Sequence, residues 1–278
     1  MATLQGDPRR SRTYLVSPFR KEQPEPPSSF QELRAFLQQI PKIDLHRHLE
    51  GSLRLQTLAE IAVEHGIDLP SYRTEDLRRY VQARDDQPDY HRFLAKFRLL
   101  RRFYRSREAL ERIATEVVAD AAEDNVRYLE LRFNPIALSR AQRFPLLDVV
   151  EWVTGAIARA QQTYPVTVRL LLQIGRDEIP SVAEEILELA LAYRARGIVG
   201  LDLAGDEVNY PAYRLAHIYQ RARQEGLGVT IHAGEVGGAA NVRDAVLLFH
   251  AQRIGHGVHA LENSEVVRLL MERNIALE

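Results

Sequence analysis

The amino-acid sequence predicts an α/β fold in which short buried strands alternate with helices and wind toward a barrel, and three observations carry that prediction. The chain has 278 residues, 45% of them apolar and 27% charged, enough for one large core and near the about 250 residues of a single α/β barrel. From residue 30 onward, β-branched and apolar runs alternate with stretches of helical spacing. Four of the nine histidines fall at the ends of predicted strands.

The elements follow in order. Residues 1–29 hold Pro24, Pro26 and Pro27 among basic residues such as Arg9, Arg10 and Lys21, with no apolar period. That composition predicts a flexible leader ahead of a barrel domain at 30–278. Strands are predicted at 43–46, 126–131, 166–173, 199–203, 228–232, 253–255 and 275–278, with helical spacing at 110–122, 182–194 and 211–225. Seven strands with right-handed helical crossovers describe a (β/α)8 TIM barrel whose last βα unit is missing, and a truncated chain is expected. The stretch between the first two strands far exceeds the about 2–6 residues of a βα loop, so a helical insertion is expected there, placed to roof a pocket. Within it Phe93, Leu94, Phe97 and Leu100 read as a core face, and Arg98, Arg101, Arg102 and Arg105 as a solvated stripe on the same helix. A phosphate-binding role is the functional alternative for those arginines.

Composition removes several classes of function. A formal charge of −1 provides no electrostatic footprint for nucleic acid. The absence of cysteine excludes disulfides and thiolate metal sites and fits a cytoplasmic protein. No apolar run approaches the about 18–20 residues that span a bilayer, so no membrane partner is expected. Oligomeric state leaves no signature.

Chemistry concentrates in three short motifs. In Ile43-Asp44-Leu45-His46-Arg47-His48-Leu49-Glu50-Gly51, strand alternation projects His46 and His48 to one side, where they can share a metal. A third imidazole, His232, ends the strand in His232-Ala233-Gly234-Glu235; Gly234 permits a sharp turn that brings Glu235 over the pocket as a proton donor. His256 lies between two glycines in Ile254-Gly255-His256-Gly257. Three histidines could hold zinc while the fourth orients an activated water. His65, His91, His217, His250 and His259 read as surface or packing groups.

Together with Leu201-Asp202-Leu203-Ala204-Gly205-Asp206-Glu207, these motifs resemble the adenosine deaminase family of the metal-dependent amidohydrolases. The resemblance implies one Zn2+ per chain bound by His46, His48 and His232, Glu235 protonating the ring nitrogen, and His256 positioning the attacking hydroxide. It places His48, Glu50 and Gly205 on the substrate side, Gly205 offering its backbone to the purine. The implied reaction is hydrolytic deamination of adenosine or 2'-deoxyadenosine to inosine or 2'-deoxyinosine with release of ammonia. The family's eighth-strand aspartates, one a metal ligand and one a base contact, have no counterpart before Glu278. Glu50 stands where nucleoside-specific members often carry aspartate, which keeps adenine or another 6-aminopurine open as substrate.

Two rivals are weighed. A binuclear amidohydrolase needs a bridging lysine at the fourth strand, and residues 200–207 contain none, so a mononuclear site is preferred. A non-catalytic barrel serving as a binding module is the rival of another class.

Overall fold

The computed structural model describes residues 29–83 and 89–278. The chain divides at residue 40 into two units, whose described residues are 29–40 in the first and 41–83 and 89–278 in the second. In the first, helix α1 (Phe30–Gln39) is capped by Ser29, whose side chain accepts the N–H of Glu32. The expected leader lies outside the described residues except for Ser29.

The second unit opens with β1 (Lys42–His48), followed among the described residues by α2 (Leu55–Glu64), α3 (Thr74–Val81), α4 (Tyr90–Leu100) and α5 (Arg107–Glu123). β2 (Val126–Phe133), α6 (Pro135–Ser139), α7 (Leu146–Thr163), β3 (Thr167–Gly175), α8 (Pro180–Ala192) and β4 (Ile198–Ala204) continue it. α9 (Ala216–Gln224), β5 (Gly228–Ala233), α10 (Ala239–Leu247), β6 (Arg253–His256), α11 (Ser264–Glu272) and β7 (Ala276–Leu277) complete it. Among the described residues seven strands pair in parallel in sequence order, with β1 and β7 at the two edges. The sheet curls enough for Arg132 of β2 to reach Glu278, just past β7, at 2.7 Å. No helix among the described residues is long and apolar enough to cross a membrane.

Alternation along β2 shows how sequence becomes layers. Leu129, Leu131 and Phe133 join the apolar core with Val117, Val118 and Ala121 of α5 and Val149, Val153 and Ile157 of α7, each large side chain contributing about 1.5–3 kcal/mol by burial. Glu130 and Arg132 point to the opposite face, the barrel interior, and are buried there with Gln173, Asp202 and Thr230. Polar residues inside the barrel are affordable only because they pair with one another.

Three expectations change. The helix foreseen at 211–225 begins at Ala216, because Ala212 adopts a left-handed φ of 60° and a 3-10 turn over Tyr213–Leu215 follows. The helix foreseen at 182–194 stops at Ala192, before a 3-10 turn and Gly197 with φ 98°. The single arginine-bearing helix does not form: α4 ends at Leu100, a 3-10 turn covers Arg101–Phe103, and Arg105 lies beyond it.

Candidate active site

β1 presents His46 and His48 on one side with Nε2 atoms 3.4 Å apart, and β5 brings the Nε2 of His232 to 3.1 Å from that of His48. A ligand atom from each of the three falls within 4.8 Å of the others. Nitrogens about 2.0–2.1 Å from a tetrahedral zinc stand about 3.3–3.4 Å from each other, so this spacing suits one ion. The outer nitrogen of His232 agrees. His232 Nδ1 is 2.9 Å from Asp202 Oδ1, which holds the proton on Nδ1 and turns the Nε2 lone pair inward. His46 Nδ1 lies 3.4 Å from Glu278 Oε2. Burial, and then the charge of His232, keeps His48 well below the ordinary imidazole value. Burial lowers His232 too, against the pull of Asp202. Neutral imidazoles are the ligating form, and the cluster could hold a metal.

One guanidinium ties the supporting carboxylates together. Arg132, fully buried, places Nη1 3.6 Å from Asp202 Oδ1 and donates from Nη2 to Glu278 Oε2 at 2.7 Å and to the Leu45 carbonyl at 2.5 Å. Glu278 also meets Arg253 Nε at 2.8 Å, and Arg253 pairs with Glu130. Burial pushes the Asp202 carboxyl up, but His232 and Arg132 more than offset this and hold it below the usual carboxylate range. Gly255 on β6 lets the rings pack closely: a Cβ there would stand 2.9 Å from His46 Cε1 and 3.3 Å from the His232 ring.

Past β5, Gly234 turns the chain with φ 69°, and Glu235 Oε2 comes to 3.5 Å from His256 Nε2. Burial, and then the nearby Glu207 charge, raises the Glu235 carboxyl. His256 itself has φ 71°, a left-handed conformation that costs a non-glycine residue about 1–3 kcal/mol and concentrates at functional sites. Burial, then His232 and His46, lowers it to about 4, so its ring is neutral near pH 7.

These groups share a cavity of about 450 Å³. Of the four residues expected to form a core face, Leu100 joins the core, whereas Phe93, Leu94 and Phe97 of α4 line the cavity, which corrects the expectation for those three. Tyr90 donates its hydroxyl to the Gly205 carbonyl at 3.0 Å, fastening α4 to the rim of β4. Glu50, in the 3-10 turn Leu49–Gly51 after β1, is buried. Its Oε1 accepts the Asn134 N–H at 2.8 Å, while Oε2 has no hydrogen bond among the described residues. Burial raises this carboxyl. Arg98 and Arg101 also reach the cavity, with the Arg101 Nε buried and without a hydrogen bond among the described residues. His65, His91, His217, His250 and His259 lie outside it.

Sequence reasoning therefore named the cluster but not what supports it. Asp202 and Glu207 lay inside a quoted motif without a role, and Arg132 and Glu278 had none. Glu130 and Arg132 at alternating positions in an otherwise apolar strand were the available signal; alternation alone does not say whether the polar face meets water or a barrel interior.

An α/β sheet with a three-histidine cluster and a carboxyl at the C-terminal ends of its strands fits an enzyme of the amidohydrolase type. The adenosine deaminase family model matches residues 41–278. The adenosine deaminase of Clostridium botulinum (strain Okra / Type B1) is 38% identical over 241 residues, covering 86% of this chain and 71% of the relative. Among solved structures, adenine deaminase from Arthrobacter aurescens superposes with a TM-score of 0.76 at 29% identity, covering 85% of this chain and 71% of that one. A zinc-bound amidohydrolase from Burkholderia ambifaria reaches 0.79 at 30% identity over 88% and 66% of the two chains. The Arabidopsis ADAL protein complexed with GMP reaches 0.75 at 30% identity over 88% and 72%. The chain belongs to the adenosine deaminase family and is a hydrolase acting on C–N bonds of cyclic amidines.

Proposed function

We propose that this chain catalyses zinc-dependent hydrolytic deamination of adenosine and 2'-deoxyadenosine to inosine and 2'-deoxyinosine, with release of ammonia. The observation that carries the reading is the convergence of His46, His48 and His232 with Glu235 and His256 on one cavity. One Zn2+ would be held by the three histidines. When bound, zinc supplies the nucleophile by making water acidic near neutral pH.

The chain's own residues do the rest. Glu235, its carboxyl raised by burial and by Glu207, donates a proton to the ring nitrogen beside the amino-bearing carbon as that nitrogen gains electron density. His256, neutral and within 3.5 Å of Glu235, accepts a hydrogen bond from the incoming water and orients it. Gly205 offers backbone to the purine, and Glu50 Oε2 is available to a donor on the substrate. Tyr90 and Phe97, which line the cavity, would limit the water that reaches a bound purine. Overall, a C–O bond forms and the exocyclic C–N bond breaks; of the two protons that water gives up, one leaves with the amino group as ammonia and the other restores Glu235.

A second reading, a 5'-nucleotide substrate, is favoured by Arg98 and Arg101 at the cavity and by the GMP complex of the Arabidopsis neighbour. Adenine itself stays an alternative through Glu50 and the adenine deaminase neighbour. Turnover of adenosine, 2'-deoxyadenosine, adenine and AMP, followed by purine absorbance and ammonia release with metal content on the same sample, tests the proposal. Fastest turnover of the nucleosides with about one zinc per chain is expected. Absence of turnover in zinc-loaded protein would refute it and favour a binding role.

A further inference from the structure

We propose that Glu207 is a positioning residue that fastens the turn carrying Glu235, so that its loss misplaces the proton donor without emptying the metal cluster. The inference rests on the reading of Glu235 as the acid. Glu207 follows β4 and is buried, 4% exposed. Its carboxylate accepts backbone N–H groups from both sides of Glu235: Gly234 to Oε2 at 2.8 Å, and Val236 and Gly237 to Oε1 at 2.6 and 2.7 Å. The Asn241 side chain donates to Oε2 at 3.1 Å and to the Glu207 carbonyl at 3.2 Å.

These donors need an acceptor because β5 has left the sheet at Ala233, and a buried N–H without a partner is costly. An ionised carboxylate offers acceptors only, about four lone-pair positions, which matches the four donors that reach it. A glutamine side chain would turn an NH2 group toward donors and strand some of them. The seat is tight: a Cβ on Gly237 would lie 2.9 Å from the Glu207 carboxyl and 2.1 Å from Asn241 Nδ2. The preceding residue, Asp206, braces the loop by accepting the N–H groups of Val208 and Asn209. Burial raises the Glu207 carboxyl, and the Val236, Gly237 and Asn241 donors lower it further than that, so it is ionised when the turn is closed.

A double-mutant cycle of Glu207→Gln and Glu235→Gln, each sample normalised to its zinc content, tests the inference. In Glu207→Gln, kcat is expected to fall about 30-fold with KM within about twofold and metal retained. Added to Glu235→Gln, the change should cost nothing more, since it acts through the same group. Full additivity, or wild-type kcat in Glu207→Gln, would overturn the inference while leaving the role of Glu235 intact. Near-normal turnover of Glu235→Gln would instead remove the acid reading and this inference with it. Amide exchange decides the fastening without turnover: faster exchange at residues 234–237 with unchanged strands supports it, and unchanged exchange there overturns it. Should Glu207→Gln not fold, Asn241→Ala removes one donor, and a loss of about threefold in kcat is expected, with an unchanged kcat counting against the inference.

Discussion

Asp202→Asn isolates the contribution of a carboxylate that never touches the metal position. Asp202 Oδ1 accepts from His232 Nδ1 at 2.9 Å in a fully buried setting, with Arg132 at 3.6 Å on the same oxygen. Asparagine keeps the shape and an acceptor oxygen but removes the charge. A hydrogen bond to a charged partner is worth about 1.5–3 kcal/mol against about 0.5–1.5 for a neutral one, and loss of a carboxylate behind a ligating histidine typically weakens metal binding about 10–100-fold. The expected weakening is therefore about 1.4–2.7 kcal/mol. The metal-free protein should lose less than the about 3–5 kcal/mol of a stranded buried charge, because Arg132 still meets Glu278 at 2.7 Å. Competition against a chromophoric zinc chelator measures the first quantity and urea unfolding of metal-free protein the second. Zinc affinity within about twofold of the parent would refute the idea that Asp202 prepares His232 as a ligand.

Other outcomes follow from the same geometry. Glu235→Gln should retain zinc and lose about 10²–10⁴-fold in kcat. Because Glu235 must be protonated and its carboxyl is raised by burial and by Glu207, parental kcat/KM should fall as pH rises through that raised value; the pH profile of Glu207→Gln should show this limb moved acidward. Arg101→Gln should slow AMP more than adenosine if the second substrate reading holds, and equal effects on both would dismiss it. Gly255→Ala forces a Cβ against His46 and His232 and should cost about 1–3 kcal/mol, read as weaker zinc binding together with a lower Tm. Glu207 is held below the ordinary glutamate value of 4.5 once its donors outweigh burial. Its contribution to stability is thus full above that value and lost as pH falls through the lower folded one. Glu207→Gln should flatten that part of the acid unfolding curve.

Much of the fold and of the site was legible in the residues themselves. Alternating β-branched runs and helical periods located all seven strands, because strand burial leaves a period-2 or continuous apolar mark. The pair His46 and His48 could be placed on one face from spacing alone, and Gly234 and Gly255 marked where backbone must turn or crowd. Single-sequence reasoning erred where local context was overridden, as at Ala212, whose left-handed conformation delays α9, and at Phe93 and Phe97, whose helical stripe faces a cavity.

By itself, then, the sequence determined the element order, the family and the identity of the histidines and Glu235 that meet at the strand ends, since these depend on short-range pattern and motif. Only the tertiary structure decided which buried charges support them. Asp202, Arg132 and Glu278 come from β4, β2 and the end of β7, and Glu207 reaches a turn 27 to 30 residues away. Their partnership arises because a curled parallel sheet points alternate side chains of distant strands into one interior, where each charge must find its opposite or a set of donors. No local pattern encodes that pairing.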